Sequence, residues 1–511
     1  MNGREPVEAL HRSTLHGEPV AHPERLLPFR PLDPSNRPHP FKSYSGADVS
    51  LLPRSLRPSS LPAVDVLSGR RAERRELDDE LLGTLLFLAA GVSRVTGAAG
   101  GEPIWFRTAM SAGNLHPVEV YVLSDAVYHY QPLEHALVPL RRDRSVGEGT
   151  TLVLTGIPFR TSWKYGERGW RHLWWDAGTL LANLLAAADA YGIPAEVITG
   201  FPDADVAALV GIDGVDEMPL ALVHFGDGRL QFPRSDALDP PTVQASPVAP
   251  RVLRFPLVLE AQAATTLDAA EVATWQRAAD GAGLPAPSLV APPAGPSVDP
   301  TDRIEDVILR RGSTRMFLRE LAAAPLLDWA LAAAARAAPL DAAAGGTLLE
   351  HLVNVHDVDG TAPGGYRYTA DGGLKGHIPG DDVRAVATHL CLDQPLGGDS
   401  AYTVFHAADL DRLLDHLGGR GYRAAHLEAG IAAGRLALNS FALTGGATGL
   451  TFYDGEVSRR FAADLAPLLA TAVGLPATVP APGGTPGAPA ELGGYGRIMT
   501  RLAASLRRRG A

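Results

Sequence analysis

Two stretches of this chain repeat apolar residues at helical spacing, and each starts just after an Arg-Gly-aromatic-Arg group. From His172 to Tyr191 the apolar positions recur every three or four residues, and Gly192 follows as a stop signal. Ala424 to Leu443 carries the same pattern and ends near Gly445-Gly446. Each predicted helix holds an internal glycine at a matching place, Gly178 and Gly430. A mid-helix glycine costs about 1 kcal/mol relative to alanine, so close crossing of two long helices is the expected reason. Val118 to Leu123 and Leu352 to Val355 read as strands. Helices and strands intermix in each half, so the expected class is α+β.

Three anchors recur in order. Arg70-Arg71-Ala72-Glu73-Arg74 matches Arg311-Gly312-Ser313-Thr314-Arg315, 241 residues on. Val127-Tyr128-His129-Tyr130 matches Gly365-Tyr366-Arg367-Tyr368 at 238 residues, and Arg168-Gly169-Trp170-Arg171 matches Arg420-Gly421-Tyr422-Arg423 at 252. Near-constant separations point to a duplicated domain. The expected organisation is an extended arm over 1–60, a first half over 61–235 and a Pro-rich linker over 236–300. A second half follows over 301–475, then a Pro/Gly stretch and C-terminal helix over 476–511.

Composition narrows the function. The 511 residues fit two or three domains, and 46% hydrophobic with 20% charged residues describes a folded chain. A net charge of -11 argues against a nucleic-acid partner. The single cysteine, Cys391, excludes an intrachain disulfide, and a reduced, cytoplasmic setting is expected. No apolar run is long enough to span a bilayer, so no membrane association is expected. Scattered histidines and one cysteine leave few metal ligands, and no metal site is expected.

Three groups carry candidate chemistry. Arg311, Ser313 and Arg315, read as the first turn of a helix, would gather two guanidinium forks and a hydroxyl around a phosphate. The first half has Ala72 in place of the serine. Ser111-Ala112-Gly113-Asn114-Leu115-His116-Pro117 suits a loop laid against a flat heterocycle: Gly113 lets the backbone approach, and Ser111 and Asn114 offer polar contacts. Lys164 and Tyr165 can move protons, provided that their pKa values are tuned. Neither the loop nor the Lys-Tyr pair is expected in the second half.

These motifs, with Arg171, Asp176-Ala177-Gly178, Gly200-Phe201 and Glu217-Met218-Pro219-Leu220, resemble the SagB-type (McbC-like) branch of the nitroreductase superfamily, in tandem, fused form. The resemblance implies two nitroreductase-like α/β sandwich domains forming an internal pseudo-dimer with FMN at the interface. Arg311, Ser313 and Arg315 would hold the FMN phosphate, while Ser111, Ala112, Gly113 and Asn114 would meet its ring. One FMN per chain is expected, because the mirror site lacks the loop. Lys164 and Tyr165 would be catalytic, with Tyr165 as base and Lys164 lowering its pKa or holding it in place. The implied activity is oxidation of thiazoline or oxazoline rings in a modified precursor peptide, with a cyclodehydratase complex as a possible partner. The alternatives are an NAD(P)H-dependent nitro, quinone or dehydroamino-acid reductase, and a non-catalytic peptide-binding pseudo-enzyme.

Overall fold

A computed structural model describes residues 3–97, 103–142, 148–226, 230–287, 290–293, 298–369, 371–380 and 382–492. The expected α+β class is what it contains. Two antiparallel sheets carry the same strand order. In the leading sheet the order is Ala136–Arg141, Val127–Gln131, Val118–Leu123, Thr150–Gly156, Met218–Phe225 and Glu196–Ile198, with Ser50–Leu51 added at the first edge. In the trailing sheet it is Leu374–Ile378, Gly364–Tyr368, Glu350–Val355, Tyr402–Ala408, Ala466–Pro476 and Gly446–Leu450. Phe317–Leu318 pairs with the far end of Ala466–Pro476. Six strands of each sheet therefore correspond one to one.

Helix Gly169–Tyr191 belongs to the leading half and helix Leu410–Ala442 to the trailing half. The first ends at Gly192, whose φ of 72° closes the helix in the left-handed region that glycine favours. The second bends at Gly418 (φ 59°) before its long straight part. The two pack along their lengths, and Gly178 meets Gly430 at the crossing: a Cβ built on Gly178 would fall 2.6 Å from the Gly430 Cα. Missing side chains are what let the backbones touch, which is the packing reason that the mid-helix glycines required. Most large apolar side chains of both halves join one continuous core around this pair.

The third anchors knit the halves together. Arg168 and Arg171 of the leading helix converge on Asp454, at 3.0 and 3.2 Å. Arg420 and Arg423 of the trailing helix converge on Asp203, at 2.7 and 3.1 Å. Each carboxylate opens a short helix of the opposite half. All six groups are buried, so removing one partner would leave an uncompensated charge.

Several local expectations are corrected. The arm over 1–60 contains a helix, Arg4–Ser13, whose Val7 and Leu10 are buried. The segment over 236–300 is more than a linker. Helices Pro256–Ala264 and Ala269–Asp280 lie in it, the second opened by a capping box from Asp268, and Trp275 is fully buried. Its prolines flank these helices rather than interrupt them. The Pro/Gly stretch after 476 returns to the leading half, where Ala490–Glu491 pairs in parallel with Val92–Thr96. The C-terminal helix expected beyond it lies outside the described residues.

Candidate flavin cleft at the seam between the halves

A cleft of about 430 Å³ opens along the seam. The leading half supplies Ser111, Ala112, Gly113, Lys164 and Tyr165, and the trailing half supplies Ser313 and Arg315. Seven of the nine predicted site residues therefore share one cavity, although nearly 150 positions separate the two sets at their nearest.

The Ser111 loop is fixed from below. The Ser111 hydroxyl donates to one oxygen of Asp176 at 2.6 Å and the Ala112 N–H donates to the other at 3.1 Å. Thr179, one helical turn on, donates to the Met110 carbonyl at 2.7 Å. Asp176 is buried, and burial pushes its pKa up to about 7 against the opposing effect of those two donors. Gly113 has a φ of 63°, and its open face is where the Lys-Tyr pair arrives. A Cβ there would lie 2.8 Å from the Tyr165 hydroxyl and 3.2 Å from Lys164 Nζ. Alanine would thus collide with both catalytic candidates as well as strain the turn.

Two predicted residues point elsewhere. Asn114 donates to the Trp105 carbonyl at 2.9 Å and bonds His116 Nε2 at 2.9 Å, so its carboxamide stitches the loop. Arg311 is buried, donates to the Thr108 carbonyl and sits beside Arg94, with burial lowering its pKa to about 9. The reason is the position of the Arg-x-Ser-x-Arg segment. It does not open a helix; it follows helix Ile304–Arg310 as an extended stretch, with Ser313 bridged to Ala447. Arg311 is the C-cap of that helix (φ -60°, ψ 136°) and its side chain goes to Thr108, while Ser313 and Arg315, further along the extended stretch, line the cleft. Arg315 is exposed in the cleft, and no carboxylate pairs with it among the described residues.

Tyr165 corrects another expectation. Burial, reinforced by Asp176, pushes its pKa up to about 12, and the cation that opposes the shift is Arg315. Lys164 stands over the ring at 5.1 Å. The phenol therefore meets a ligand protonated.

The sequence reading missed His172. Its ring stacks on Tyr165 at 4.3 Å and lies 4.5 Å from the ring of Trp175. It is 3% exposed, lines the cleft, and neither ring nitrogen has a hydrogen-bond partner among the described residues. Burial and the nearby Arg168 and Arg171 hold it well below its ordinary pKa, so it is neutral. The available signal was spacing: His172, Trp175, Asp176 and Thr179 fall on one helix face. Trp175 Nε1 is also buried without a partner. Orphaned donors and acceptors in a cleft of this size call for a polar, planar ligand.

The mirror position is built on the same plan and then partly filled. Thr347 Oγ1 and the Leu348 N–H donate to Glu428 at 2.7 and 2.9 Å, as Ser111 and Ala112 do to Asp176. A counterpart of the loop therefore exists in the trailing half, contrary to expectation. Thr199, the equivalent of Thr451 in the cleft, is capped with Gly200 by the Asp341 carboxylate. The Trp275 ring lies against Gly200, and Leu284 and Pro285 lie against Gly346. The segment read as a linker thus fills part of the second site, while a cavity of about 490 Å³ remains beside Glu196, Gly200 and Asp341.

With this geometry in view, the comparisons place the leading half. Residues 68–227 match the model of the Nitroreductase family, and the chain contains a nitroreductase-family domain. The Methanocaldococcus jannaschii protein MJ1384, named as a nitroreductase, is 28% identical over 188 residues, 32% of this chain and 89% of that protein. The Microcin B17-processing protein McbC of Escherichia coli is 32% identical over 143 residues. That match covers 23% of this chain and 53% of McbC, about half its length. A solved structure from Anabaena variabilis, also named as a nitroreductase, covers 92% of this chain and 99% of its own at a TM-score of 0.68. At 22% identity it establishes the shared fold across both halves. The leading half is thus an oxidoreductase-family domain. Among the described residues, no helix is long and apolar enough to cross a membrane and no cluster of ligands fits a metal ion.

Proposed function

We propose that this chain is an FMN-dependent dehydrogenase that oxidises thiazoline or oxazoline rings of a ribosomally made peptide to thiazoles or oxazoles. One observation carries the reading: the Tyr165 hydroxyl and Lys164 Nζ meet at the open backbone of Gly113, across the seam from Ser313 and Arg315. The likeness to McbC, whose name is that of a peptide-processing protein, supports a peptide substrate. It also supports a synthetase-type complex with a cyclodehydratase as the setting.

Arg315 and Ser313 would hold the phosphate, and the backbone of Ser111, Ala112 and Gly113 would lie against the ring system. FMN, when bound, supplies the hydride acceptor. The chain's own residues handle the proton that leaves the neighbouring ring carbon. Tyr165, protonated, donates a hydrogen bond and orients the azoline. The proton passes to Lys164 in its unprotonated form, the amine that meets the Tyr165 hydroxyl at Gly113. His172, disfavoured as a cation beside Arg168 and Arg171, holds the Tyr165 ring by stacking on it. Asp176 keeps the loop at its height without carrying a full charge below pH 7. Trp275 against Gly200 and Leu284 against Gly346 crowd the mirror position, which supports one FMN per chain.

The test is the visible spectrum of the purified protein with released flavin counted per chain, followed by incubation with an azoline-containing peptide. One flavin, and a peptide lighter by two hydrogens per ring without nicotinamide, is the expected result. Two flavins per chain would overturn the stoichiometry. Consumption of NAD(P)H on nitro or quinone substrates, with the peptide untouched, would replace the dehydrogenase by the reductase that the MJ1384 likeness favours. A colourless protein without FMN affinity would leave a peptide-binding module.

A further inference from the structure

A second cavity on the seam, of about 210 Å³, is bordered by charges from both halves. Arg71 and Asp189 come from the leading half, Arg336 and Arg435 from the trailing half. Arg71 Nε donates to one oxygen of Asp189 at 2.9 Å, and Arg336 lies 3.8 Å from the other. Arg435 donates to the Arg336 carbonyl at 2.6 Å and has no carboxylate partner among the described residues. Asp189 is the carboxylate within ion-pair reach, and Glu428 also acts on Arg435, so three guanidiniums face two carboxylates, an excess of one positive charge.

Arg336 and Arg435 are largely buried, and Arg71 reaches solvent. Arg435 is 3% exposed, and Arg336 Nε is buried with no hydrogen-bond partner. Burial and the neighbouring Arg336 drive the Arg435 pKa down, the mark of a cation held beside like charge with too little compensation. Unpaired buried charge is costly, and a guanidinium fork is shaped to meet an oxyanion. A water takes about 30 Å³, so the space accommodates a tetrahedral oxyanion with solvent around it.

The cavity adjoins the first anchor at Arg71, the counterpart of Gly312, while Ala72 and Arg74, the counterparts of Ser313 and Arg315, do not line it. The cavity-lining residues Ala195 and Arg336 to Pro339 continue directly into the mirror site, through the Val197–Leu340 bridge to Gly200 and Asp341. Trp275 crowds Gly200 on the far side of that bridge, and the cationic cavity is separate from the larger one beside Gly200 and Asp341.

We propose that this cavity is a binding site for a phosphate-class dianion, free or as a small monoester, that ties the two halves together. The inference does not depend on the flavin assignment. The full chain, carrying whatever cofactor it purifies with, is titrated with inorganic phosphate and with methyl phosphate against chloride at matched ionic strength. Thermal unfolding and calorimetric binding are read. Phosphate should raise the melting temperature where chloride does not, and a stronger response to methyl phosphate identifies an ester as the ligand. Arg71→Ala, at a side chain 61% exposed and safe for folding, should weaken binding about tenfold, the scale of one charge-assisted hydrogen bond. Asp189→Asn removes the competing negative charge and should tighten binding. Arg315→Ala, in the other cleft, should leave this response unchanged. A phosphate effect equal to that of chloride, untouched by Arg71→Ala, or abolished by Arg315→Ala alone would overturn the proposal.

Discussion

The contact between Gly178 and Gly430 is the joint on which both halves hinge, and Gly178→Ala tests it with one methyl group. The added carbon would lie 2.3 Å from the Leu427 carbonyl oxygen and 2.6 Å from both the Gly430 Cα and the Ile431 nitrogen. All three are backbone atoms, so no side chain can swing aside. Ordinary contact begins near 3.4 Å, and the helices must part by about 1 Å to reach it. Overpacking of this kind costs ~1–3 kcal/mol, and rigid backbone on every side places it at the upper end. Alanine's better helix propensity returns ~1 kcal/mol, leaving a net loss of about 2 kcal/mol. The same two helices carry Thr179 and Ala433 into the cleft, so flavin retention should fall together with stability. Urea unfolding followed by far-ultraviolet dichroism and tryptophan emission measures the first, and flavin released per chain measures the second. In an uncrowded helix the substitution would stabilise the protein. A variant as stable as the parent, with its flavin intact, would show that the glycines are not in contact.

Asp176 has a folded pKa near 7 against 3.8 in an open chain, so its contribution to stability is complete below pH 4 and is lost as pH rises through 7. The shift of roughly three units corresponds to at most ~4 kcal/mol; Asp176→Asn should flatten the stability profile between about pH 4 and pH 7, and an unchanged slope would refute the assignment. Arg315→Ala should raise the FMN dissociation constant by ~10–100-fold in a fluorescence titration, the loss of one hydrogen bond to a charged group; an unchanged constant would place the phosphate elsewhere. Lys164→Ala and Tyr165→Phe should each lower turnover by ~10²–10⁴-fold while the protein stays yellow, and normal rates in both would remove the pair from the chemistry. His172→Ala removes the ring stacked on Tyr165, so turnover should fall while the protein stays yellow; full activity would show that the stack does not position the phenol.

Local pattern was enough for the elements and the duplication. Helical spacing marked both long helices, Gly192 marked the end of the first, and alternation marked Val118 to Leu123. The two internal glycines foretold the crossing, because only contact between backbones repays their cost. Seven site residues were also legible, since backbone exposure at Gly113 and charge at Arg315 are properties of residue type in a short motif. What only the tertiary structure decided is direction and neighbours. Arg311 and Asn114 fit their motifs by type, yet the chain turns them toward Thr108 and Trp105. Tyr165 looked like a base until burial beside Asp176 raised its pKa. Trp275, inside a proline-rich segment with no visible partner, crowds the mirror site. Motif and period record what a residue can do within a few positions of itself. Which way it faces, and what its burial does to its charge, is set by neighbours that packing brings up, some nearby in sequence, as Trp105 is to Asn114, and some from the other half, as Thr108 is to Arg311.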